Sequence, residues 1–128
     1  NQLGGYKIQG KTDESAKKIM ADANAMSKAG VSFVLLEMVP AALAKTITAS
    51  IQAPTIGIGA GVDCSGQVLV LQDLLGIYTG TANKNASNFK CPRFVRNFLK
   101  DTNSIQAAVE AYVVAVKNKT FPALEHSY

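Results

Sequence analysis

The run from Val31 to Pro40, Val-Ser-Phe-Val-Leu-Leu-Glu-Met-Val-Pro, constrains the fold more than any other stretch of this chain. It is short, apolar and rich in valine, leucine and phenylalanine, and it begins after Gly30 and stops at a proline. A run of this kind is typical of a strand buried on both faces, as strands of a parallel sheet are. Its only acid, Glu37, lies near the carboxyl end, where parallel α/β folds bind ligands and perform their chemistry.

Glu37 admits a functional and a structural interpretation. An ionised carboxylate that loses its water costs several kcal/mol unless a partner compensates, so a buried one is expected to meet a cation or to stay protonated. Acids perturbed in this way are frequently functional. The structural alternative is a carboxylate that a neighbouring strand or a helix N-terminus satisfies.

Size and composition describe a globular chain. The 128 residues are 48% hydrophobic and 17% charged, which is enough apolar content for a core. No apolar run approaches the roughly 18 residues of a membrane span, and the N-terminus lacks the pattern of a signal peptide. Cys64 and Cys91 lie far apart without a Cys-x-x-Cys or histidine companion, so neither a disulfide framework nor a zinc site is expected. We therefore expect a cytoplasmic protein with no membrane partner.

The positive charge does not predict a nucleic-acid partner. The formal charge of +4 comes from scattered lysines and a looser basic concentration between Lys84 and Lys100. The chain has no tryptophan and no run of interleaved basic and aromatic residues. A solvated surface is the commoner explanation of such charges.

A glycine-rich loop over Leu3 to Asp13 opens the chain. Its glycines permit backbone conformations closed to other residues, and its polar side chains could cover a ligand. The candidate substrate-contacting residues are Gly4, Gly5, Tyr6, Lys7 and Gln9. A plain surface connection is the alternative.

After this loop, helical and strand patterns alternate. Apolar residues at helical spacing predict a first helix that Thr12 or Asp13 caps and Gly30 closes, followed by the strand that contains Glu37. The further predictions are a helix over Ala41 to Ile51, a strand over Thr55 to Gly61, a strand-like segment over Gln67 to Leu71 with Leu74 to Ile77, a helix over Phe89 to Leu99, and a last helix over Ile105 to Lys117 that Ser104 caps. Alternation of this kind predicts an α/β fold with parallel strands.

The segment Thr55 to Gly61 has glycine at every second position, at Gly57, Gly59 and Gly61. In a strand, this spacing removes side chains from one face, so that another backbone or a ligand can approach closely. The spacing differs from the Gly-x-Gly-x-x-Gly of dinucleotide sites, and a turn follows it where such sites have a helix. A tight lining of a barrel is favoured over a nucleotide site.

The length predicts part of a barrel. A closed (β/α)8 barrel contains typically ~250 residues, so 128 residues correspond to about half of one. The chain begins with Asn1 rather than Met and enters a Gly-Gly turn at once, as though an upstream element had just ended. We therefore expect residues 1–128 to form half of a single barrel domain.

Six motifs along the chain resemble, in order, the second half of the ketopantoate hydroxymethyltransferase family. They are Gly-Gly-Tyr-Lys-Ile-Gln-Gly (Gly4 to Gly10), Leu-Leu-Glu-Met-Val-Pro (Leu35 to Pro40), Ile-Gly-Ile-Gly-Ala-Gly (Ile56 to Gly61), Ser-Gly-Gln-Val-Leu-Val (Ser65 to Val70), Asp-Leu-Leu-Gly-Ile (Asp73 to Ile77) and Phe-Pro-Ala-Leu-Glu-His-Ser (Phe121 to Ser127). The resemblance implies a (β/α)8 TIM barrel to which this chain supplies the C-terminal half: the loop after strand five, the last three parallel strands and their helices.

The resemblance also implies a reaction. The family transfers a hydroxymethyl group from 5,10-methylenetetrahydrofolate to 3-methyl-2-oxobutanoate, giving 2-dehydropantoate in pantothenate and coenzyme A biosynthesis. Glu37 matches its proton-accepting glutamate, which would form an enolate that Mg2+ stabilises. The family's metal ligands and substrate lysine belong to its first half, so we expect no metal ligand in this chain and no activity from it alone. Gln72 stands where relatives carry a histidine, and the role of the single histidine, His126, stays open.

The resemblance further implies a homo-oligomer, and the N-terminal half of the barrel is the expected partner besides the keto acid and the folate. Two other functions stay open on the sequence. One is a non-catalytic half-barrel assembly module, whose open sheet edge pairs with another copy. The other is a phosphate-binding barrel enzyme that uses the glycines between Gly57 and Gly61.

Overall fold

A computed structural model describes residues 7–77 and 91–128 of the chain. The elements are, in order, α1 (Asp13–Lys28), β1 (Val34–Glu37), α2 (Ala41–Ser50), β2 (Thr55–Ile58), β3 (Gly66–Gln67), α3 (Leu71–Leu74), α4 (Ile105–Lys117) and a 3-10 turn (Leu124–His126). The alternation of helix and strand confirms the predicted α/β class. Gly4, Gly5 and Tyr6 of the predicted substrate loop lie outside the described residues.

The three strands form one parallel sheet in the order β1-β2-β3. Leu35 lies opposite Ile56, and Glu37 lies opposite Ile58. Because side chains alternate along a strand, these four residues share one face of the sheet, while Val34 and Leu36 point to the other. Within the described residues no strand pairs with the outer edge of β1.

Local signals in the sequence set where the two long helices begin. The Thr12 hydroxyl accepts a hydrogen bond from the Ser15 N–H at 3.2 Å, and α1 starts at the next residue after this cap. Ser104 accepts from the Ala107 N–H at 3.1 Å in the same way, and α4 follows it. Both predicted caps are confirmed.

The apolar side chains form two core clusters. The first cluster packs α1 and α2 against one face of β1; its buried members are Ala23, Val34, Leu36, Val39, Ala44, Ile47, Ala53, Ala60 and Cys64. The second cluster joins α3, α4 and the C-terminal tail to residues at the carboxyl ends of the strands; its buried members are Met38, Leu69, Leu74, Leu75, Phe94, Phe98, Ala108, Ala115 and Phe121. Three rings of this cluster, those of Phe98, Tyr112 and Phe121, meet edge to face.

The prediction that the strand around Glu37 is buried on both faces is wrong for the described chain. Val34 and Leu36 are 5% and 4% exposed, but Leu35, between them, is 52% exposed. The helices α1 and α2 cover only the face with Val34 and Leu36, and no described element packs over Leu35. We call the face with Leu35, Glu37, Ile56 and Ile58 the open face of the sheet. Of these four residues, Ile58 contacts the second cluster.

Two further predictions of secondary structure are wrong. The strand-like segment over Gln67 to Ile77 is instead the short β3 followed by the single helical turn α3. From Cys91 to Leu99, the described part of the predicted fourth helix, the chain forms turns. The carboxamide oxygen of Asn97 accepts from the N–H groups of Leu99 and Lys100, at 2.9 and 3.1 Å, which stabilises a turn instead of a helix.

Within residues 7–77 and 91–128, no helix has both the length and the apolar character needed to cross a membrane.

Candidate functional site

Glu37 is the last residue of β1, and it lies on the open face opposite Ile58. Its side chain is exposed, so the expectation that its carboxylate loses its water is wrong for the described chain. The salt bridges among the described residues, Lys18–Asp22 and Lys45–Asp63, do not involve Glu37. The carboxylate is therefore accessible, at the carboxyl end of a parallel strand, on the face that α1 and α2 leave uncovered.

The chain turns sharply directly after Glu37. Met38 has a φ of 51°, in the left-handed region, and is buried. Its N–H donates to the Ile58 carbonyl oxygen at 2.9 Å, and its own carbonyl oxygen accepts from the Gln9 N–H at 2.9 Å. The second bond brings the opening loop next to the end of β1.

Of the predicted substrate loop, the structure describes Lys7 and Gln9, and both side chains are exposed. The Gln9 carboxamide donates to the Lys7 carbonyl oxygen at 3.0 Å, which holds the loop in a local turn. The loop then passes through Gly10, whose φ of 74° a side chain would oppose. The sequence-predicted residues Lys7 and Gln9 thus lie in the loop that contacts the residue after Glu37.

The three alternating glycines do not share one strand. Only Gly57 belongs to β2, while Gly59 and Gly61 follow it with φ values of 63° and 82°. A Cβ atom at Gly57 would lie 2.9 Å from the sulfur of Cys64, and one at Gly61 would lie 2.5 Å from the Cβ atom of Ala41. The groups that approach these two glycines closely belong to the chain itself.

The C-terminal tail packs onto the same end of the sheet, which the sequence interpretation did not foresee. The Tyr128 carbonyl oxygen accepts from the N–H of Ala41, the first residue of α2, at 2.7 Å. A Cβ atom at Gly59 would lie 3.1 Å from the Tyr128 ring. The Arg93 guanidinium lies 5.7 Å from the centre of that ring and donates to the Ser127 carbonyl oxygen at 3.0 Å. No sequence pattern identifies these contacts, because they join residues that are far apart along the chain.

His126 has a structural environment. Its Nδ1 accepts from the Ala123 N–H at 3.2 Å, and its ring lies 5.2 Å from that of Phe121. Burial lowers the pKa of this imidazole, the Arg96 guanidinium lowers it further, and Glu125 opposes both. The structure therefore favours a neutral histidine that closes the 3-10 turn.

The remaining acids form no metal centre within the described residues. No group of three or more histidine, cysteine, aspartate or glutamate side chains there could hold a metal ion. Asp63 lies 3.6 Å from the Lys45 ammonium group, and burial raises the pKa of Asp73 in α3. Gln72, where the resemblance implies a histidine, is exposed.

Sequence comparison identifies the family of this chain. The family profile described as ketopantoate hydroxymethyltransferase matches residues 1–124. The chain belongs to this family. A 3-methyl-2-oxobutanoate hydroxymethyltransferase of Thiobacillus denitrificans is 53% identical over 128 residues, which are 100% of this chain and 45% of that protein.

Proteins of the same name from two other organisms are similar to this member of the family. The one from Chromobacterium violaceum is 55% identical over 128 residues, which are 100% of this chain and 45% of that protein. The one from Cupriavidus taiwanensis is 57% identical over 126 residues, which are 98% of this chain and 43% of that protein. The chain thus spans less than half the length of these relatives.

Proposed function

We propose that this chain supplies the proton-accepting carboxylate of a 3-methyl-2-oxobutanoate hydroxymethyltransferase, and that Glu37 is that residue. The observation that carries the proposal is the position of Glu37 at the carboxyl end of β1, exposed on the open face. Active sites of barrel enzymes lie at this end of the strands. The relatives carry the name of this activity, and their similarity covers the whole chain.

In the proposed reaction, a Glu37 carboxylate oxygen takes the proton from C3 of 3-methyl-2-oxobutanoate. The electron pair of the broken C–H bond forms the C2–C3 double bond of an enolate, with negative charge on the C2 oxygen. Water opens the methylene bridge of 5,10-methylenetetrahydrofolate: both bonds from the methylene carbon to nitrogen break, each nitrogen keeps one proton of the water, and the carbon is released as formaldehyde. C3 of the enolate then attacks this carbon, a new C–C bond forms, and the formaldehyde oxygen takes the proton that Glu37 holds. The hydroxyl oxygen therefore comes from water, Glu37 returns to its ionised form, and the products are 2-dehydropantoate and tetrahydrofolate.

Lys7 and Gln9 are proposed to contact the substrate from the opening loop, together with Gly4, Gly5 and Tyr6. Support comes from the hydrogen bond between the Gln9 N–H and the Met38 carbonyl oxygen, which ties this loop to the residue after Glu37. Both side chains are exposed, and the Gln9 carboxamide would exchange its hydrogen bond to the Lys7 carbonyl oxygen for one to a ligand at the strand ends. The family resemblance implies Mg2+, but the described acids do not cluster to hold it, so its ligands would have to come from outside these residues.

We propose that the N-terminal half of a (β/α)8 barrel completes the site. The N–H groups of Val34 and Met38 donate toward β2, so those of Leu35 and Glu37 point to the opposite, unpaired edge of β1. A cleft of about 220 Å³ runs along this edge beside α1. A parallel strand from the rest of the protein would pair with this edge, and closure of the barrel would bury the open face in its interior. A cytoplasmic homo-oligomer remains part of this proposal.

The test is the change Glu37→Gln in a complete enzyme, made by joining these 128 residues to the part of the Thiobacillus denitrificans relative outside the matched region. Glutamine keeps the size of the side chain and removes its basicity. We expect exchange of the C3 proton of 3-methyl-2-oxobutanoate in deuterated water, followed by NMR, to fall by about 100-fold or more.

The matched control is Glu14→Gln, which makes the same change at an exposed acid in the first turn of α1. Its exchange rate should equal that of the unmodified enzyme. An unchanged rate in Glu37→Gln would return Glu37 to a structural role.

A non-catalytic assembly module is the second candidate, and the unpaired edge of β1 favours it. Sedimentation distinguishes the two. A module would associate with itself through this edge, and the complete enzyme would show no C3-proton exchange above the uncatalysed rate. Catalytic exchange that depends on Glu37 would exclude it.

A further inference from the structure

Met38 has a backbone conformation that its side chain does not favour. A φ of 51° lies in the left-handed region, which glycine, asparagine and aspartate enter far more readily than other residues. Such residues cluster at functional sites, where the surrounding structure has to maintain them. Met38 directly follows the carboxylate assigned to proton transfer, so its conformation determines how the chain leaves Glu37.

The left-handed residue reverses the alternation of side chains at the end of β1. In a regular strand, Met38 would follow Leu36 into the first core cluster, and Val39 would lie on the face of Glu37. Instead, Val39 packs in the first cluster and Met38 in the second. Met38 therefore packs in the cluster that Ile58 also contacts, and Glu37 is the last residue that keeps the regular alternation of the strand.

Hydrogen bonds and burial maintain this conformation. The Met38 N–H binds the Ile58 carbonyl oxygen, and its own carbonyl oxygen binds the Gln9 N–H, each at 2.9 Å. The side chain is only 5% exposed and belongs to the cluster that Ile8 and Ile58 also contact. The residue thus fixes three things relative to one another: the end of β1, the end of β2 and the opening loop.

We infer that Met38 is a positioning residue, whose left-handed backbone places the Glu37 carboxylate against the substrate held by the opening loop. The inference rests on the proposed function of Glu37. Proton transfer requires donor and acceptor within hydrogen-bond reach, and a small displacement of the base slows it strongly. The backbone conformation of Met38, more than its side chain, is what the reaction requires.

Two variants of the complete enzyme separate backbone from side chain. Met38→Gly removes the buried side chain but enters the left-handed region freely. Met38→Val keeps an apolar side chain, but its β-branch disfavours that region. A matched control, Val39→Ala, truncates the neighbouring buried residue, for which no left-handed conformation is found.

The measurements are kcat and KM for C3-proton exchange, together with Tm. We expect Met38→Gly and Val39→Ala to lower Tm while kcat stays within about threefold of the unmodified enzyme. We expect Met38→Val to lower kcat by about tenfold or more, with KM for the keto acid within about twofold. A merely structural role would instead make kcat follow Tm across all three variants.

A tenfold loss of kcat in Met38→Gly, or full kcat in Met38→Val, would overturn the inference. If Met38→Val does not fold, Met38→Ala takes its place, because alanine also removes the side chain but disfavours the left-handed region: its kcat should fall below that of Met38→Gly, and equal values would overturn the inference. Glu37→Gln is measured alongside: if it keeps full exchange, the proposed function fails, and if it abolishes exchange while Met38→Val does not, only the role of Met38 fails.

Discussion

On the face of the sheet that α1 and α2 cover, Leu36 is 4% exposed, whereas its neighbour Leu35, on the open face, is 52% exposed. The two residues are chemically identical and adjacent in one strand. Their difference shows that an apolar sequence supplies the surface for a core, while a second layer has to bury it. The carboxylate of Glu37 lies on the face that α1 and α2 do not cover, on the same side of β1 as Leu35. Because no described element packs over this part of β1, the Glu37 side chain is exposed.

The largest expected effect tests this comparison directly. Leu36→Ala should lower the free energy of unfolding of the 128-residue chain by about 2–5 kcal/mol, because it leaves a cavity under α1 and α2. Leu35→Ala should cost less than about 1 kcal/mol, since its side chain is already half in water. Urea denaturation measures both values, and equal costs would contradict the assignment of the two faces.

The same pair tests whether another layer covers the open face. In the complete enzyme, the cost of Leu35→Ala should rise toward that of Leu36→Ala. A cost that stays the same would mean that no partner buries Leu35.

A smaller effect is expected from the buried polar group on the covered face. Thr55 is fully buried, its hydroxyl lies 2.7 Å from that of Thr48, and it accepts from the Ser65 N–H at 3.1 Å. Thr55→Val keeps the shape but leaves these partners unsatisfied, which should cost about 1–3 kcal/mol. Thr46→Val, at an exposed site of α2, is the control and should change stability by less than about 0.5 kcal/mol.

Loss of the α4 cap should have a smaller effect on stability. This effect should not depend on whether either face of the sheet is covered. Ser104→Ala removes the acceptor of the Ala107 N–H, which should lower the free energy of unfolding by about 1 kcal/mol. Because Ser104 is exposed and its bond lies within the first turn of α4, the cost should be the same in the chain and in the complete enzyme. Thermal unfolding of both proteins checks this, and a cost confined to one of them would place α4 at the missing layer.

The smallest effect concerns pH. Burial lowers the pKa of His126 in the folded chain, so the unfolded chain binds the proton more tightly. Its contribution to stability is therefore present above the unfolded pKa, near 6.5, and is lost as the pH falls through that value toward the folded pKa. Tm should fall between pH 7 and pH 5 by more in the unmodified chain than in His126→Gln. Parallel curves would contradict the structural assignment of this histidine.

The sequence predictions that are confirmed are those that depend on neighbouring residues. The bounds of α4 and the caps at Thr12 and Ser104 are confirmed, because each depends on residues within one helical turn. The predicted helix over Phe89 to Leu99 is wrong in its described part, although Phe94 and Phe98 are buried as its apolar spacing suggested. Apolar spacing predicts which residues enter a core. The hydrogen bonds of the Asn97 side chain stabilise a turn in the backbone at Leu99 and Lys100.

By itself, the sequence determined the parallel α/β class and the position of an acid at the carboxyl end of a strand. Spacing of apolar residues and capping groups sufficed, since these act over a few neighbouring residues. Only the tertiary structure decided which face of β1 is covered, that Met38 is left-handed, and that the Tyr128 carbonyl oxygen binds the first N–H of α2. Each of these depends on contacts between segments far apart in the chain, and no local pattern encodes such contacts.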